Sequence, residues 1–448
     1  MEPNTDAALA TDLYELTMAA AYFENKIEGQ ATFELFVRNY PKNRSFLIAA
    51  GLQQAVDYML HVRFEGRHIE FLRRLPVFRD VSEEFFQYLK TFKFTGTAYA
   101  MPEGTVFFPS EPILRVTAPV IEAQIVETYL LSIINFETLN ASKAARVVGA
   151  ARGREVVEFG ARRAHGPESA LLAARASYIG GCVGTSNVLA GFKFGIPTYG
   201  TVAHSFVMMF DSEREAFERF CKVFPSAPAF LLDTYDTLAA ARIVASMGVK
   251  PALVRLDSGN RVLLSGKVRK TLNDAGMDTT KIFVSGDLNE YVLDKMTKQK
   301  VPIDSFGVGT DLVTSRDDSA LPGIYKLVAI EHRGQTMFRA KTSAGKRTIP
   351  GAKQVYRRYD RKGMIKQDVI ALANETPPRG TKPLLIEVIR DGQLTSPLPS
   401  LDGIRQVRKN ELKSLPQKYR RLRGSADPPV RLSRLLEQLT KSLWNETK

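Results

Sequence analysis

Six short apolar segments between residues 154 and 313 restrict the fold of this 448-residue chain more than any other feature. Each segment ends at glycine or at a cluster of polar residues, and most are followed by a helical pattern. Repeated strand–helix units with nearly continuous apolar strands predict a parallel sheet that is covered on both faces. The predicted strands lie within 154–163, 196–205, 229–236, 252–259, 281–288 and 303–312.

Chemically useful side chains concentrate directly after these predicted strands. In a closed βα barrel the carboxyl ends of the strands converge on one mouth, so we expect one shared site. A doubly wound open sheet fits the pattern less well, because its polar strand ends would not all face one pocket. The residues at these strand ends are Arg162, His204, Asp233, Asp236, Arg255, Asp257, Asp287 and Thr310.

The segments on either side of the barrel have different patterns. Residues 1–135 combine helical patterns with a turn-rich β segment at 94–119, which predicts an N-terminal α/β domain. We place the βα barrel and the active site in residues 136–320. Residues 321–448 have antiparallel strand patterns and a final amphipathic helix from Pro429 to Trp444, which predicts a C-terminal β-rich segment with a basic helical tail.

Charge and composition restrict the classes of function. The net charge of +14 raises the question of nucleic-acid binding. Residues 401–448 hold twelve Lys/Arg and five Asp/Glu, which is half of that excess, but only one Trp and one Tyr. A solvated basic face is therefore favoured over base stacking, and we expect no nucleic-acid partner.

The expected location is the cytoplasm. No uncharged apolar run reaches the roughly 18 residues of a membrane helix, and the amino end lacks the basic and apolar regions of a secretory signal. The two cysteines, Cys182 and Cys221, are consistent with a reducing compartment and are expected to be small buried hydrophobic residues. We expect no membrane partner.

His204 is one of five histidines and follows the apolar run at 196–202. The pattern predicts a buried strand over 196–205 that places the imidazole at its carboxyl end, just before a helix. A structural histidine at a strand end explains the isolated motif. The polar residues at the neighbouring strand ends favour a functional role.

The motif SFGVGTDL at 305–312 suits phosphate binding. Backbone N–H groups near Gly307 and Gly309 can approach phosphate oxygens, and Thr310 can add a hydroxyl. This last strand–helix unit is also where barrels often bind phosphate. A tight structural turn explains the two glycines about as well.

Two further motifs combine charged and hydroxyl groups. In VRLDSGN, Arg255 and Asp257 lie on the same side of an extended strand, so both can reach one anionic ligand that carries a metal. The alternative is a surface ion pair, which contributes little to stability. Ser285 and Asp287 in SGDL form a second group at the next strand end.

An aromatic residue beside two guanidinium groups suits a flat anionic ring. Phe159 precedes Arg162 and Arg163, which predicts ring stacking together with bidentate recognition of a carboxylate. The alternative is a core phenylalanine with two solvent-facing arginines. Together, the strand ends predict a phosphorylated sugar donor and an aromatic acid as ligands.

Several long motifs, in the same order, resemble those of the nicotinate phosphoribosyltransferase family. They cover roughly the first three-quarters of the chain. The resemblance implies a type II phosphoribosyltransferase fold, which is an irregular α/β barrel with an additional α/β domain. It also implies a homodimer whose active sites straddle the interface. The motifs are TDLYELTMAAAYF, FGARRAHGPESALLAARASYIGGCVGTSNVLAG, GTVAHSF, LLDTYD, VRLDSG, VSGDL and SFGVGTDLVTS.

The resemblance also implies a reaction. Nicotinate and phosphoribosyl pyrophosphate (PRPP) would give nicotinate mononucleotide and pyrophosphate, as a step of NAD salvage. ATP hydrolysis would drive the reaction through transient phosphorylation of His204, with Mg²⁺ as the cofactor. The alternatives are a nicotinamide- or quinolinate-using relative, and a basic nucleic-acid-binding protein that uses the 401–448 tail on an inactive barrel.

The family roles transfer to individual positions of this sequence. Phe159 would stack on the pyridine ring, and Tyr14 of the partner subunit would cover its other face. His204, Arg255 and Asp257 would be catalytic. Arg162, Arg163 and Arg255 would bind the carboxylate and the donor phosphates, and Gly307, Gly309 and Thr310 would bind the 5′-phosphate. Asp257 and Asp287 would bind the ribose or the Mg²⁺–pyrophosphate. Ser186 and Ser285 would also be substrate-binding positions.

Two positions depart from related patterns. The family usually has aspartate where this chain has Asn260, so we assign no metal role there. The nicotinamide-using relative has an aspartate in the loop where this chain has Ser186. An aspartate would accept a hydrogen bond from an amide and repel a carboxylate, so Ser186 favours nicotinate.

Overall fold

The computed structural model describes residues 6–226, 228–343 and 345–446, and the chain divides into two compact units. The first unit combines Met1–Leu139 with Ala320–Lys448, and the second is Asn140–Ser319. The amino end, for which no secretory signal was predicted, includes residues 1–5, and the predicted basic tail includes residues 447–448. These positions lie outside the described residues.

The N-terminal part of the first unit alternates helices and strands. Asp12 is the N-cap residue of the first helix, although its side chain makes no capping hydrogen bond to the described residues. The helical pattern that begins at Val120 is divided at Val126 into two helices. The elements are α1 (Leu13–Glu24), β1 (Gln30–Val37), β2 (Leu47–Ile48), α2 (Leu52–His61), α3 (Gly66–Arg73), α4 (Glu83–Lys90), β3 (Thr97–Ala100), β4 (Val106–Phe107), β5 (Pro112–Pro119), α5 (Val120–Ile125) and α6 (Glu127–Ala150).

The second unit has the expected repeated strand–helix units. Most of its strands are two to four residues long, and helices follow most of them directly. The elements are β6 (Glu155–Glu158), α7 (Pro167–Gly180), β7 (Gly184–Thr185), α8 (Val188–Phe194), α9 (His204–Met208), α10 (Glu213–Val223), β8 (Ala229–Leu231), α11 (Thr237–Ser246), β9 (Leu253–Leu256), α12 (Arg261–Asp274), β10 (Lys281–Val284), α13 (Glu290–Lys298), β11 (Ser305–Val308) and α14 (Thr310–Val313).

These strands form an irregular βα barrel, which confirms the predicted fold class. Within the described ranges, six strands lie in the order β7-β6-β11-β10-β9-β8, and every neighbouring pair is parallel. The first strand, β6, pairs with the last strand, β11, which closes the sheet on that side. Thr198 extends the other edge through an isolated parallel bridge to Thr185. No strand pairing among the described residues joins that bridge to β8.

The predicted strand over 196–205 is wrong. Apart from the bridge at Thr198 the segment is irregular, and His204 is the first residue of helix α9. Tyr199 is 44% exposed, so the segment is not a buried strand. The bridge at Thr198 pairs the segment with β7, a strand that was not predicted from the hydrophobic pattern. The Pro197 carbonyl and the Tyr199 ring approach Gly184 so closely that a Cβ there would lie 2.3 Å and 2.4 Å from them.

The C-terminal part of the first unit is rich in antiparallel strands, as predicted. The final helix begins at Arg434 rather than near Pro429, because Val430–Leu432 forms a strand. The helix before it, Leu401–Ser414, was not predicted from the sequence. The elements are β12 (Gly323–His332), β13 (Gln335–Phe338), β14 (Lys353–Tyr359), β15 (Ile365–Leu372), β16 (Thr381–Pro383), β17 (Ile386–Arg390), β18 (Gln393–Leu394), α15 (Leu401–Ser414), β19 (Val430–Leu432) and α16 (Arg434–Glu446).

Both ends of the chain contribute to one sheet of the first unit. In the described residues its strand order is β13-β12-β1-β5-β3-β17-β18, and β1 pairs antiparallel with both β12 and β5. A second sheet, β16-β14-β15-β19, comes from the C-terminal part. The sequence pattern predicts two separate segments, 1–135 and 321–448. In the structure both contribute strands to one sheet of the first unit.

A buried ion network holds the C-terminal part together. Arg357 on β14 is fully buried and donates to Asp368 on β15 at 3.0 Å and 2.6 Å, and to Glu411 on α15 at 2.5 Å. Burial lowers the pKa of Arg357, but the two carboxylates outweigh it and raise the pKa above its usual value. The guanidinium therefore stays charged and joins two strands to a helix.

Replacing Arg357 with methionine is expected to destabilise the protein strongly. The substitution leaves the Asp368 carboxylate buried without its cation, and breaking a buried pair from one side costs about 3–5 kcal/mol. Urea unfolding of Arg357→Met measures this loss. The exposed Arg361→Ala is the matched control and is expected to change stability by less than about 0.5 kcal/mol. Equal stability of the two variants would contradict the prediction.

Candidate active site

The carboxyl ends of β9 and β10 bring together a cation, a carboxylate and a hydroxyl. Arg255 donates from Nε to Ser285 Oγ at 2.8 Å and from Nη2 to Asp257 Oδ1 at 2.6 Å. Ser285 Oγ also donates to Asp257 Oδ1. Arg255 and Asp257 thus lie on one side of the strand end, as their alternate positions predict.

Asp257 is held in its ionised form. Burial raises the pKa of its carboxyl, but the hydrogen bond from Ser285 and the charges of Arg255 and His204 together lower it below the usual value. Both side-chain hydrogen bonds reach Oδ1, and the structure gives no hydrogen bond to Oδ2 among the described residues. Oδ2 therefore remains available to a ligand.

Asp233, which follows β8, braces the turn after β9. Its Oδ2 accepts the Asp257 N–H at 3.0 Å and the Ser258 hydroxyl at 2.5 Å. Asp233 was predicted to lie at a strand end, without a role in the site. Its observed role is to hold the turn that carries Asp257.

Arg261, in the first turn of α12, braces the same turn from the other side. It donates to the carbonyls of Asp257 and Ser285 at 3.3 Å and 2.9 Å, and to that of Gly286. This residue was not among the predicted site residues, because its contact with Ser285 joins positions 24 residues apart that only the fold brings together. The N-cap of the same helix is Asn260, whose side chain accepts the Leu263 N–H at 3.2 Å.

His204 lies beside these strand ends although it is not on a strand. Its Nδ1 is 3.2 Å from Thr234 Oγ1, which follows β8, and its charge contributes to the lowered pKa of Asp257. Thr201, three residues earlier, accepts a hydrogen bond from Arg255 Nη1 at 3.1 Å. Neither threonine was among the predicted site residues, because hydroxyl residues in loops give no distinctive pattern.

Phe159, directly after β6, supplies an aromatic ring beside the same arginine. The Arg255 guanidinium carbon lies 5.7 Å from the Phe159 ring centroid. The ring centroid of Phe283, on β10, lies 5.2 Å from that of Phe159. A Cβ at Gly307 would lie 2.9 Å from the Phe159 ring and 2.7 Å from the Phe283 ring. Gly307 is therefore required so that the two rings can pack across β11.

The end of β11 adds backbone and hydroxyl groups. Gly309 follows the strand, and a Cβ there would meet the Phe159 carbonyl at 3.0 Å. Thr310 is half-buried and begins α14. The predicted 5′-phosphate contacts of Gly307, Gly309 and Thr310 stay predictions.

Other predicted site residues lie outside this hydrogen-bonded group. Arg162 and Arg163 are exposed in a short 3₁₀ turn, Ala161–Arg163, and Asp287 is exposed with a φ of 42°. Ser186 follows β7, and its N–H donates to the Glu158 carbonyl at 2.9 Å. Their ligand contacts stay predictions.

Tyr14 belongs to the first unit and is 45% exposed on α1. Burial and the neighbouring Glu127 raise the pKa of its phenol, so the ring carries a neutral hydroxyl. Its predicted contact with a ligand across a subunit interface stays a prediction.

The carboxylates of the described residues form no metal cage. No group of three or more His, Cys, Asp or Glu side chains in that part of the chain is arranged to hold a metal ion. Mg²⁺ is commonly bound by one or two carboxylates together with the phosphates of a substrate. The free Oδ2 of Asp257 fits that mode of binding.

Within the described residues, no helix is both long enough and apolar enough to cross a bilayer.

Three family models match the chain in sequence order. They are described as the nicotinate phosphoribosyltransferase N-terminal domain at residues 9–135, the nicotinate phosphoribosyltransferase family at 154–346, and the C-terminal domain at 378–440. A nicotinate phosphoribosyltransferase of Mycobacterium tuberculosis is 43% identical over 97% of this chain and 93% of its own length. That of Bacillus subtilis is 38% identical over 95% of this chain and 93% of its own.

Two solved structures are similar to the chain over almost its whole length. The crystal structure of human nicotinic acid phosphoribosyltransferase superposes with a TM-score of 0.86 at 30% identity and covers 97% of this chain and 99% of its own. A structure described as nicotinate-nucleotide pyrophosphorylase from Pyrococcus furiosus has a TM-score of 0.75 at 26% identity, with coverage of 92% and 97%.

Proposed function

Because the chain belongs to the nicotinate phosphoribosyltransferase family, we propose that it transfers the phosphoribosyl group of PRPP to nicotinate. The products are nicotinate mononucleotide and pyrophosphate, and the reaction serves NAD salvage in the cytoplasm. The observation that carries this proposal is the meeting of the Phe159 ring, the Arg255 guanidinium and the Asp257 carboxylate at neighbouring strand ends.

Each of these groups matches a part of the two substrates. The Phe159 ring offers a face on which a pyridine ring stacks. The Arg255 guanidinium suits a phosphate or carboxylate, because its planar donors match such oxygens in pairs. Gly307, Gly309 and Thr310 at the end of β11 are assigned to the 5′-phosphate, and Arg162, Arg163 and Ser186 to the nicotinate end.

The chemistry requires charge stabilisation at the leaving group. As the bond from ribose to pyrophosphate breaks, negative charge develops on the pyrophosphate and positive charge on the sugar. Arg255 is positioned for the developing anion, and the ionised Asp257 for the sugar or for a Mg²⁺ ion on the diphosphate. Mg²⁺ bound there would supply further positive charge to the leaving group, with Asp257 and Asp287 as its protein ligands.

We assign ATP coupling to His204. Its imidazole lies among the same groups, and the contact between Nδ1 and Thr234 fixes one nitrogen while the other is left for a phosphoryl group. A phosphoryl group there adds negative charge close to Arg255 and Asp257. That charge changes how the donor pyrophosphate is held, which is a physical basis for coupling.

We also propose a homodimer with shared sites. Two apolar side chains on α8, four positions apart on one face of the helix, are strongly exposed, namely Val188 (76%) and Phe192 (86%). Large exposed apolar side chains in one region favour contact with another protein surface. A second copy of the chain would bury them and would supply Tyr14 to the neighbouring pyridine site.

Substrate comparison tests the proposed function. The purified protein is assayed with PRPP, Mg²⁺ and ATP against nicotinate, nicotinamide and quinolinate, and product formation is followed by chromatography. We expect kcat/KM for nicotinate to exceed that for either competitor by at least about 100-fold, since an unmatched polar group in a site is strongly rejected. Faster turnover of nicotinamide or quinolinate would overturn the assignment. Salt-dependent RNA binding without any transfer would favour the nucleic-acid alternative.

A further inference from the structure

Glu158 is a fully buried carboxylate at the end of β6, directly before Phe159. Its Oε1 accepts the Gly160 N–H, and its Oε2 accepts the Thr185 hydroxyl at 2.5 Å. Burial raises the pKa of the carboxyl, while these two hydrogen bonds act in the opposite direction. Burying a carboxyl group costs free energy, and the two hydrogen bonds offset part of that cost.

The two hydrogen bonds join two separate loops. Gly160 follows Phe159 after β6, and Thr185 ends the neighbouring parallel strand β7. Thr185 Oγ1 in turn accepts the Asn187 N–H at 2.9 Å, and the Glu158 carbonyl accepts the Ser186 N–H at 2.9 Å. One residue thus fixes both the turn of Phe159 and the loop 185–187.

The surroundings leave the Phe159 turn little freedom. The Phe159 N–H donates to the Val308 carbonyl at 2.8 Å. A Cβ at Gly160 would lie 2.3 Å from the Val313 side chain and 3.0 Å from Glu158 Oε1. The turn is therefore packed against Val313 on one side and tied by Glu158 to the loop 185–187 on the other.

We propose that Glu158 is a positioning residue for the aromatic substrate. It fixes the separation between the Phe159 ring and the loop 185–187, which follow adjacent parallel strands and border the place of the pyridine ring. This inference rests on the proposed function, in which Phe159 stacks on nicotinate. Glu158 does not itself contact the substrate, so it acts on nicotinate affinity rather than on the donor or the chemical step.

Two variants test the inference. Glu158→Gln keeps the shape but cannot accept hydrogen bonds at both ends, and Thr185→Val removes the hydroxyl in an isosteric side chain. We expect each to raise the KM for nicotinate about tenfold, with kcat and the KM for PRPP changed less than about threefold. Thr185→Ser keeps the hydroxyl, and its KM for nicotinate is expected to equal that of the wild type. Glu155→Gln, exposed at the other end of β6, is the control.

Calorimetry of nicotinate binding separates this inference from the proposed function. If the wild-type protein binds nicotinate and the two variants bind it about tenfold more weakly, the inference stands even when transfer is absent. Unchanged nicotinate affinity in both variants overturns it while leaving the proposed function intact. An equal loss in KM for both substrates, together with a lower melting temperature, overturns it in favour of a purely structural role. Absence of nicotinate binding to the wild type overturns both.

Discussion

Replacing His204 with alanine is expected to abolish ATP-dependent phosphorylation of the protein and the stimulation of transfer by ATP. The imidazole is the proposed acceptor of the phosphoryl group, and alanine offers no nucleophile in its place. Some uncoupled transfer should remain, because Phe159, Arg255 and Asp257 are left in position. The protein is incubated with γ-labelled ATP, and the bound label is measured before and after acid treatment, which removes phosphate from histidine. Initial rates of transfer are measured with and without ATP.

His165→Ala is the matched control for this experiment. His165 lies in the same unit and is exposed in the loop before α7. This variant is expected to retain both labelling and ATP stimulation. Labelling of His204→Ala at the wild-type level would show that another residue accepts the phosphoryl group, and the assignment of His204 would then be wrong.

The local environment of Arg255 and Asp257 could be predicted from the sequence. Their spacing places both side chains on one side of a strand, and parallel pairing aligns Leu256 with Val284. Ser285 therefore lies next to Asp257, as the observed hydrogen bond requires. Short-range periodicity and the rule that parallel strands end at one edge were sufficient here.

The surroundings of His204 could not be predicted in the same way. Its segment has β-branched residues, which favour a strand, but Pro197 lacks a backbone donor and the segment pairs only through Thr198. The partner strand, Gly184–Thr185, is two residues long and too short to give an alternating pattern. The contact with Thr234 joins residues 30 positions apart and depends on the folded loops.

The pairing of the two chain ends was also beyond local sequence patterns. Strand β1 pairs with β12 along its whole length, from Gln30 opposite Glu331 to Val37 opposite Gly323. Each strand pattern was recognisable by itself, but no local feature specifies a partner almost 300 residues away. The boundaries at 135 and 320 were predicted from changes of pattern along the chain, and such changes do not reveal that the flanking segments share a sheet.

Replacing Arg255 with alanine is expected to lower kcat/KM for PRPP by about 100- to 1000-fold. One well-placed donor to a developing anion typically contributes about 3–4 kcal/mol to the barrier. Arg255→Lys keeps the charge but loses the fork that reaches Ser285, Thr201 and Asp257, so its activity is expected to lie between those of the wild type and the alanine variant. Steady-state kinetics with both substrates measures the effect.

The pH profile distinguishes this role of Arg255 from a general loss of structure. In the wild type, the charge and hydrogen bond of Arg255 help to lower the pKa of Asp257. Without the guanidinium that pKa rises, so activity that needs the ionised carboxylate should fail at a higher pH on the acid side. The exposed Arg242→Ala on α11 is the control and should keep the wild-type rate and profile. A loss of less than tenfold in Arg255→Ala, with an unshifted acid limb, would contradict the proposed role, because a cation on the leaving pyrophosphate cannot be removed without raising the barrier.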